Sequence, residues 1–153
     1  MKQSGRKWGD LSMLMGEYHH NIDEKSRIIM PSKFRYDLGE TFVITRGIDS
    51  CLFVYPKETW NNITNKLNEL SFTKKDVRSF QRFFLSAATI CEFDKQGRIN
   101  ISSPLASYAN LTKECVIIGV NDRIEIWSKE NFDKFLNESM ENVTEIAEHL
   151  FEV

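Results

Sequence analysis

The sequence predicts an α+β protein with a mainly β core, in which one small unit occurs twice and helices lie at the periphery. Three observations predict it. The decapeptide IDEKSRIIMP (residues 22–31) returns as FDKQGRINIS (93–102), with Asp23 and Asp94 standing 71 positions apart. Each copy is followed by two β-branched and aromatic runs joined by a Gly-, Asn- or Asp-containing turn, which is a hairpin signature. Each half then closes with apolar residues at helical spacing.

The elements follow in order. Residues 1–14 are basic and polar with no apolar h-region, so they read as a disordered extension and not a secretory signal, with the folded part starting near Met13 or Met15. The first half is expected over 15–70. It holds a strand leading into the first turn, a short buried strand RIIM (27–30), and a short helix between Pro31 and Gly39. The hairpin strands TFVI (41–44) and CLFVY (51–55) come next, then a helix opened by Pro56 with Trp60, Ile63, Leu67 and Leu70 on one face. A connecting helix is expected over 71–90. Thr73 is its expected cap, and Val77, Phe80, Phe84 and Ala87 line one side with Arg78 and Arg82 on another.

The second half, 91–137, repeats the unit: RINI (98–101), a short helix with Pro104 near its start and Asn110 beyond its end, then CVII (115–118) and RIEIW (123–127). Ser128 can cap a last helix carrying Phe132, Phe135, Leu136, Met140, Val143, Ala147 and Leu150. Residues 138–153 are expected to form an acidic C-terminal helix or tail. Four short strands are too few to close a core alone, so the halves should interlock into one pseudo-two-fold body.

Composition narrows the function. Of 153 residues, 41% are hydrophobic and 12% aromatic, enough for a packed interior. No apolar run approaches the roughly 18 residues of a membrane span. Cys51, Cys91 and Cys115 are odd in number and widely spaced, which argues for free thiols rather than disulfides or zinc. Net charge is −2, so the chain is not globally basic. Charge is local: residues 137–153 hold five Glu and no Lys or Arg, whereas 73–84 hold Lys74, Lys75, Arg78 and Arg82 against Asp76.

No catalytic, metal or cofactor site is expected. Adjacent His19 and His20 point to opposite sides of a strand, no serine sits in a nucleophile elbow, and there is no Gly-rich phosphate loop.

The chemistry that remains is in the repeated turns. Asp23 and Asp94 can accept backbone N–H groups just ahead of them. Gly97 can take positive φ freely, and Ser26 stands at the same place in the first copy. An exposed Asp–Arg pair is worth only about 0–1 kcal/mol, which is little reason to build the turn twice. Lys25, Arg27, Lys95 and Arg98 would lie on or beside solvent-facing turns, where Arg can grip phosphate or a guanine edge and Lys can neutralise phosphate. A structural ion pair and an anionic partner both remain open on these grounds.

The segments GEYHHNIDEKSRIIMPSKFR, TRGIDSCLFVYP, KDVRSFQRFFLSAATICEFDKQGRI and VIIGVNDRIEIW resemble the bacterial MraZ family, in family order from about Met15 onward. The doubled Asp-x-x-x-Arg motif, Asp23 to Arg27 and Asp94 to Arg98, is that family's hallmark. The resemblance implies an AbrB-like swapped-hairpin β-barrel duplicated within one chain. It implies a cytoplasmic, nucleoid-associated regulator that binds promoter repeats of the division and cell-wall gene cluster as a homo-oligomeric, octamer-like ring, without a cofactor. Arg27 and Arg98 would be the principal contacts on double-stranded DNA, with Lys25 and Lys95 beside them. Asp23, Ser26, Asp94 and Gly97 would shape the loops.

Departures lie in the second copy, where Asn100 and Ser102 follow the Arg, Gln96 matches Lys25, and Ala106 stands where the first copy has Arg35. The first copy therefore reads as the fuller DNA contact. The alternatives are an oligomeric protein-interaction scaffold docking through the charged turns, and a small β-barrel enzyme for which no nucleophile or acid/base pair is visible.

Overall fold

The computed structural model describes residues 14–151. The extension expected over 1–14 lies outside them as far as residue 13, and Leu14 is a buried strand residue. In chain order the elements are β1 (Leu14–Asn21), β2 (Arg27–Ile29), α1 (Ser32–Leu38), β3 (Thr41–Arg46), β4 (Leu52–Pro56), α2 (Lys57–Asn68) and α3 (Lys75–Leu85). They continue as β5 (Thr89–Glu92), β6 (Arg98–Asn100), α4 (Ser103–Tyr108), β7 (Glu114–Asn121), β8 (Ile124–Ser128) and α5 (Lys129–Phe151). Each half thus contributes the strand–turn–strand–helix–hairpin–helix series that its repeat demands, and the fold is the expected α+β duplication. None of the helices among the described residues is long and apolar enough to cross a membrane.

Strand pairing interlocks the halves. A six-stranded antiparallel sheet runs in the order β1-β7-β8-β4-β3-β5, and β2 pairs with β6 in a separate ribbon. Only the hairpins β3–β4 and β7–β8 pair within one half. The ladders β1–β7, β3–β5, β4–β8 and β2–β6 all join strands of different halves. Within the described residues the large sheet ends at β1 and β5, and the ribbon packs into the core beside it.

Period two along the strands gives the sheet two apolar faces. Leu52 and Val54 of β4, Ile124 and Ile126 of β8, and Cys115 and Ile117 of β7 point into one cluster. That cluster also takes Ile28 and Ile99 from the ribbon, Phe34 from α1 and Leu105 from α4. The intervening residues Phe53, Tyr55, Val116 and Trp127 point the other way, into a cluster closed by Leu67, Phe84 and Phe132 from α2, α3 and α5. Two-sided burial explains why β4 reads as a continuous apolar run.

Local expectations are met at the short helices. Gly39 ends α1 at φ 80° and Asn110 follows α4 at φ 58°, the left-handed region that Gly and Asn tolerate. Ser128 Oγ accepts the Asn131 N–H at 3.1 Å, capping α5. Two details differ. Leu70 keeps helical spacing but lies past the end of α2 and is half exposed, because no layer covers that turn. Thr73 does not cap α3; its hydroxyl meets Ser71 Oγ at 2.7 Å, Lys74 holds the N-cap position, and the Thr73 carbonyl accepts from Arg78 Nη1.

Candidate nucleic-acid interface

The two charged turns form at the N-termini of β2 and β6, and they are built alike. Asp23 Oδ1 accepts the backbone N–H groups of Lys25 and Arg27, both at 2.9 Å, and Asp94 Oδ1 accepts those of Gln96 and Arg98, both at 2.9 Å. The second carboxylate oxygen takes the Arg Nε, at 2.9 Å in the first loop and 2.8 Å in the second. Backbone bonds Asp23 N to Arg27 O and Asp94 N to Arg98 O close each loop at 2.9 and 3.0 Å. One Asp therefore both folds the loop and aims its Arg.

Because the carboxylate is met through Nε, the guanidinium keeps Nη donors to offer. The side chains of Arg27 and Arg98 are 29% and 24% exposed, accessible yet held. In the second loop one Nη2 donates to Gln96 Oε1 at 3.2 Å. The backbone N–H of Arg27, followed by its guanidinium, keeps the Asp23 carboxyl below the ordinary carboxylate value, and Arg98 does the same for Asp94. Both are thus charged at neutral pH. Lys25 and Lys95 are exposed on the loop tips.

Residue 26 in the first loop and 97 in the second are both left-handed, Ser26 at φ 62° and Gly97 at φ 77°. For Ser26 that conformation costs about 1–2 kcal/mol, less what a glycine loses in the flexible unfolded chain. Ser26→Gly is expected to raise stability by about 1 kcal/mol, a rise of roughly 2–4 °C in melting temperature. The reverse change, Gly97→Ala, is expected to destabilise. A melting curve for Ser26→Gly at or below that of the parent would contradict the first expectation.

The interlocked halves change what surrounds each loop. Met30 N donates to Gly97 O at 3.1 Å, and Ile101 N donates to Ser26 O at 2.8 Å, so each loop is bonded to the chain entering the other half's short helix. Arg35 of α1 consequently lies on the second loop, not the first. Its Nη1 donates to Met30 O at 2.6 Å, and a Cβ built on Gly97 would lie 2.5 Å from that Nη1 and 2.8 Å from Cζ. A side chain at 97 would push the Arg35 guanidinium off the loop, while the positive φ is what makes glycine the favoured residue there.

Arg35, Glu40 and Glu92 line a concavity with Asp94, Lys95 and Gln96, while Lys113 lines its counterpart with Asp23, Lys25 and Arg27. Sequence alignment of the copies shows that Arg35 has no counterpart at Ala106. It does not show that Arg35 serves the loop lacking a lysine at position 96.

Other charged residues have structural work. Glu125 is buried and accepts from Arg123 Nη2 at 2.8 Å and Trp127 Nε1 at 2.9 Å, with the Arg123 guanidinium 4.5 Å from the Phe53 ring centre. Cys51 and Cys115 are buried and Cys91 is partly so, with burial raising all three thiol pKa values, that of Cys115 to about 11. His19 Nε2 meets Glu17 at 2.7 Å on the exposed side of β1, and no metal-holding cluster of His, Cys, Asp or Glu occurs among the described residues.

Comparison with known proteins matches this duplication. The family model described as "MraZ protein, putative antitoxin-like" fits the chain twice, over residues 13–83 and 84–153. A protein of Ligilactobacillus salivarius (strain UCC118) named "Transcriptional regulator MraZ" is 54% identical over 140 residues, which cover 92% of this chain and 98% of that protein. With both halves matched in tandem and the two Asp-x-x-x-Arg loops sharing the same Asp-centred bonds, this chain belongs to the MraZ family.

Proposed function

We propose that this protein is a sequence-specific DNA-binding transcriptional regulator, acting on promoter repeats of the division and cell-wall gene cluster. It works in the cytoplasm at the nucleoid, as a homo-oligomer of ring form. The observation that carries the reading is the pair of equivalent loops, each holding one Arg by Nε with Nη donors exposed beside a lysine. The name of the Ligilactobacillus salivarius relative supports regulation of transcription. In this reading Arg27 and Arg98 grip phosphate or guanine edges, Lys25 and Lys95 neutralise phosphates, and Asp23, Ser26, Asp94 and Gly97 set the loop shape.

Self-association is favoured by α5. Past Leu136 its apolar side runs on through Met140, Val143, Ile146 and Leu150, which are 47–69% exposed in the single chain. Assembly also answers the charge problem, since a chain of net charge −2 binds DNA weakly alone while an array of loops acts through effective concentration.

A mobility-shift titration with the DNA upstream of the protein's own gene tests the proposal. Wild type is expected to shift that DNA and Arg27→Ala to shift it much more weakly. The log–log salt slope should fall between about −1.8 and −3.6 per engaged chain, for two lysines alone or all four cations at about −0.9 each. Absence of any shift, with that fragment or with other DNA, would transfer the loops to a protein-docking role.

A further inference from the structure

The register of the β2–β6 ribbon decides which side chains it presents. Ile28 stands opposite Ile99, and both are fully buried. The flanking positions face outward by the two-residue period. They are Arg27 opposite Asn100, and Ile29 opposite Arg98. The two arginines therefore occupy one diagonal of the outer face, roughly 7–8 Å apart, and Ile29 and Asn100 occupy the other. Ile29 is 43% exposed and Asn100 is exposed as well, so neither contributes to the core.

The pseudo-two-fold axis passes through the Ile28–Ile99 pair. It exchanges Arg27 with Arg98 and Ile29 with Asn100. The first exchange changes nothing; the second replaces an aliphatic group by an amide. On the ribbon itself this is where the symmetry is chemically broken; the loop tips differ as well, at Glu24 against Lys95 and Lys25 against Gln96.

A two-stranded ribbon fits the DNA major groove, which is about 12 Å wide. A three-residue strand is about 10 Å long. The loops at the two ends of the ribbon would then carry Lys25 and Lys95 toward the phosphates on either side.

We propose that the outer face of the ribbon reads bases: Asn100 pairs with the major-groove edge of an adenine, and Ile29 contacts a thymine methyl. The Ile29/Asn100 difference makes the ribbon bind a duplex in one polarity. The proposal rests on the DNA-binding reading above. Asn matches the donor and acceptor of adenine bidentately, whereas Ile can offer only apolar contact. A ribbon with a true two-fold would sit equally well after half a turn about the DNA dyad, as symmetric dimers do on palindromes. Turning this one would set Ile29 against the adenine amino group and leave that donor unpaired.

The test is selection of sites from a random duplex library by the full-length wild type, Asn100→Ala and Ile29→Asn. Wild type is expected to select a non-palindromic motif with an adenine on one flank. Asn100→Ala should reduce discrimination at that adenine by about 5- to 150-fold. Its affinity for unselected DNA and its salt slope should match wild type, because no cation is removed. Ile29→Asn should turn the selected motif palindromic.

The proposal is overturned if Asn100→Ala selects the wild-type motif or if wild type selects a palindrome. It is also overturned if Ile29→Asn changes only the oligomeric state, which would make Ile29 a subunit contact. Retention of DNA without any selected motif sinks the base reading alone. Failure of wild type to retain DNA at all sinks the DNA-binding reading together with it.

Discussion

Arg98→Ala will weaken retention of promoter DNA as much as Arg27→Ala does, and the double variant will abolish it. Each arginine is expected to contribute about 1–3 kcal/mol at its contact, and an assembly repeats the loss at every engaged loop. The equality follows from the bonds. Both Asp residues accept the same two backbone N–H groups at 2.9 Å, and both arginines meet them through Nε within 0.1 Å of the same length. The sequence favours the first copy, which has Lys25 where the second has Gln96. The interlocked fold offsets this by laying Arg35 on the second loop.

Folding controls are straightforward. Removing one partner of a part-exposed pair costs roughly 0–1 kcal/mol, so each single variant should melt within a few degrees of wild type. Arg98→Lys adds a sharper comparison, since it keeps the charge but loses the Nε–carboxylate bond that aims the side chain. It should hold DNA better than Arg98→Ala and worse than wild type. Undiminished binding by a folded Arg98→Ala protein would mean that only the first loop touches DNA.

Much of the fold is legible in the sequence because it is written twice. A lone run such as RIIM is ambiguous between strand and helix, but its echo RINI fixes the strand by requiring one answer for both. Likewise Gly97 reveals the left-handed backbone that Ser26 also adopts. What the periodicity does not encode is the partner of each strand. The pattern of β2 is the same whether it pairs with β6 of the other half or within its own, so the position of Arg35 over Gly97 could not be read from spacing. The end of α2 differs from the spacing for a related reason. Leu70 fits the 3.6-residue period, but a period marks a helix face only where another layer covers it, and α2 ends at Asn68. The polarity of the ribbon's outer face was visible only as a departure from the repeat, at Asn100, until the register set Asn100 and Ile29 on one exposed diagonal.

Phe84→Ala is expected to cost about 3–5 kcal/mol, a large part of the roughly 5–15 kcal/mol that stabilises a folded domain. Phe84 is 3% exposed and joins the connecting helix α3 to the second apolar face of the sheet. Its ring stacks on Trp60 of α2 at 5.4 Å and on Phe80 at 5.2 Å, and meets Tyr55 of β4 edge-on at 6.4 Å. Its carbonyl accepts Thr45 Oγ1 of β3 at 2.6 Å. Truncation removes the shared ring from three aromatic contacts and leaves a cavity that the rigid sheet cannot collapse to fill. The melting temperature should fall by about 6–20 °C. Phe84→Leu, which refills much of the volume, should lose markedly less. The denaturant slope distinguishes the mode of failure. An unchanged slope with a lower midpoint means that the interlocked halves still unfold together, while a reduced slope means that α3 has already left the sheet in the native state. Detachment of α3 would leave β2, β6 and both charged loops in place, so DNA binding at low temperature should survive in this variant. A Phe84→Ala protein as stable as wild type would show that α3 is a tether between the halves and not part of their common core.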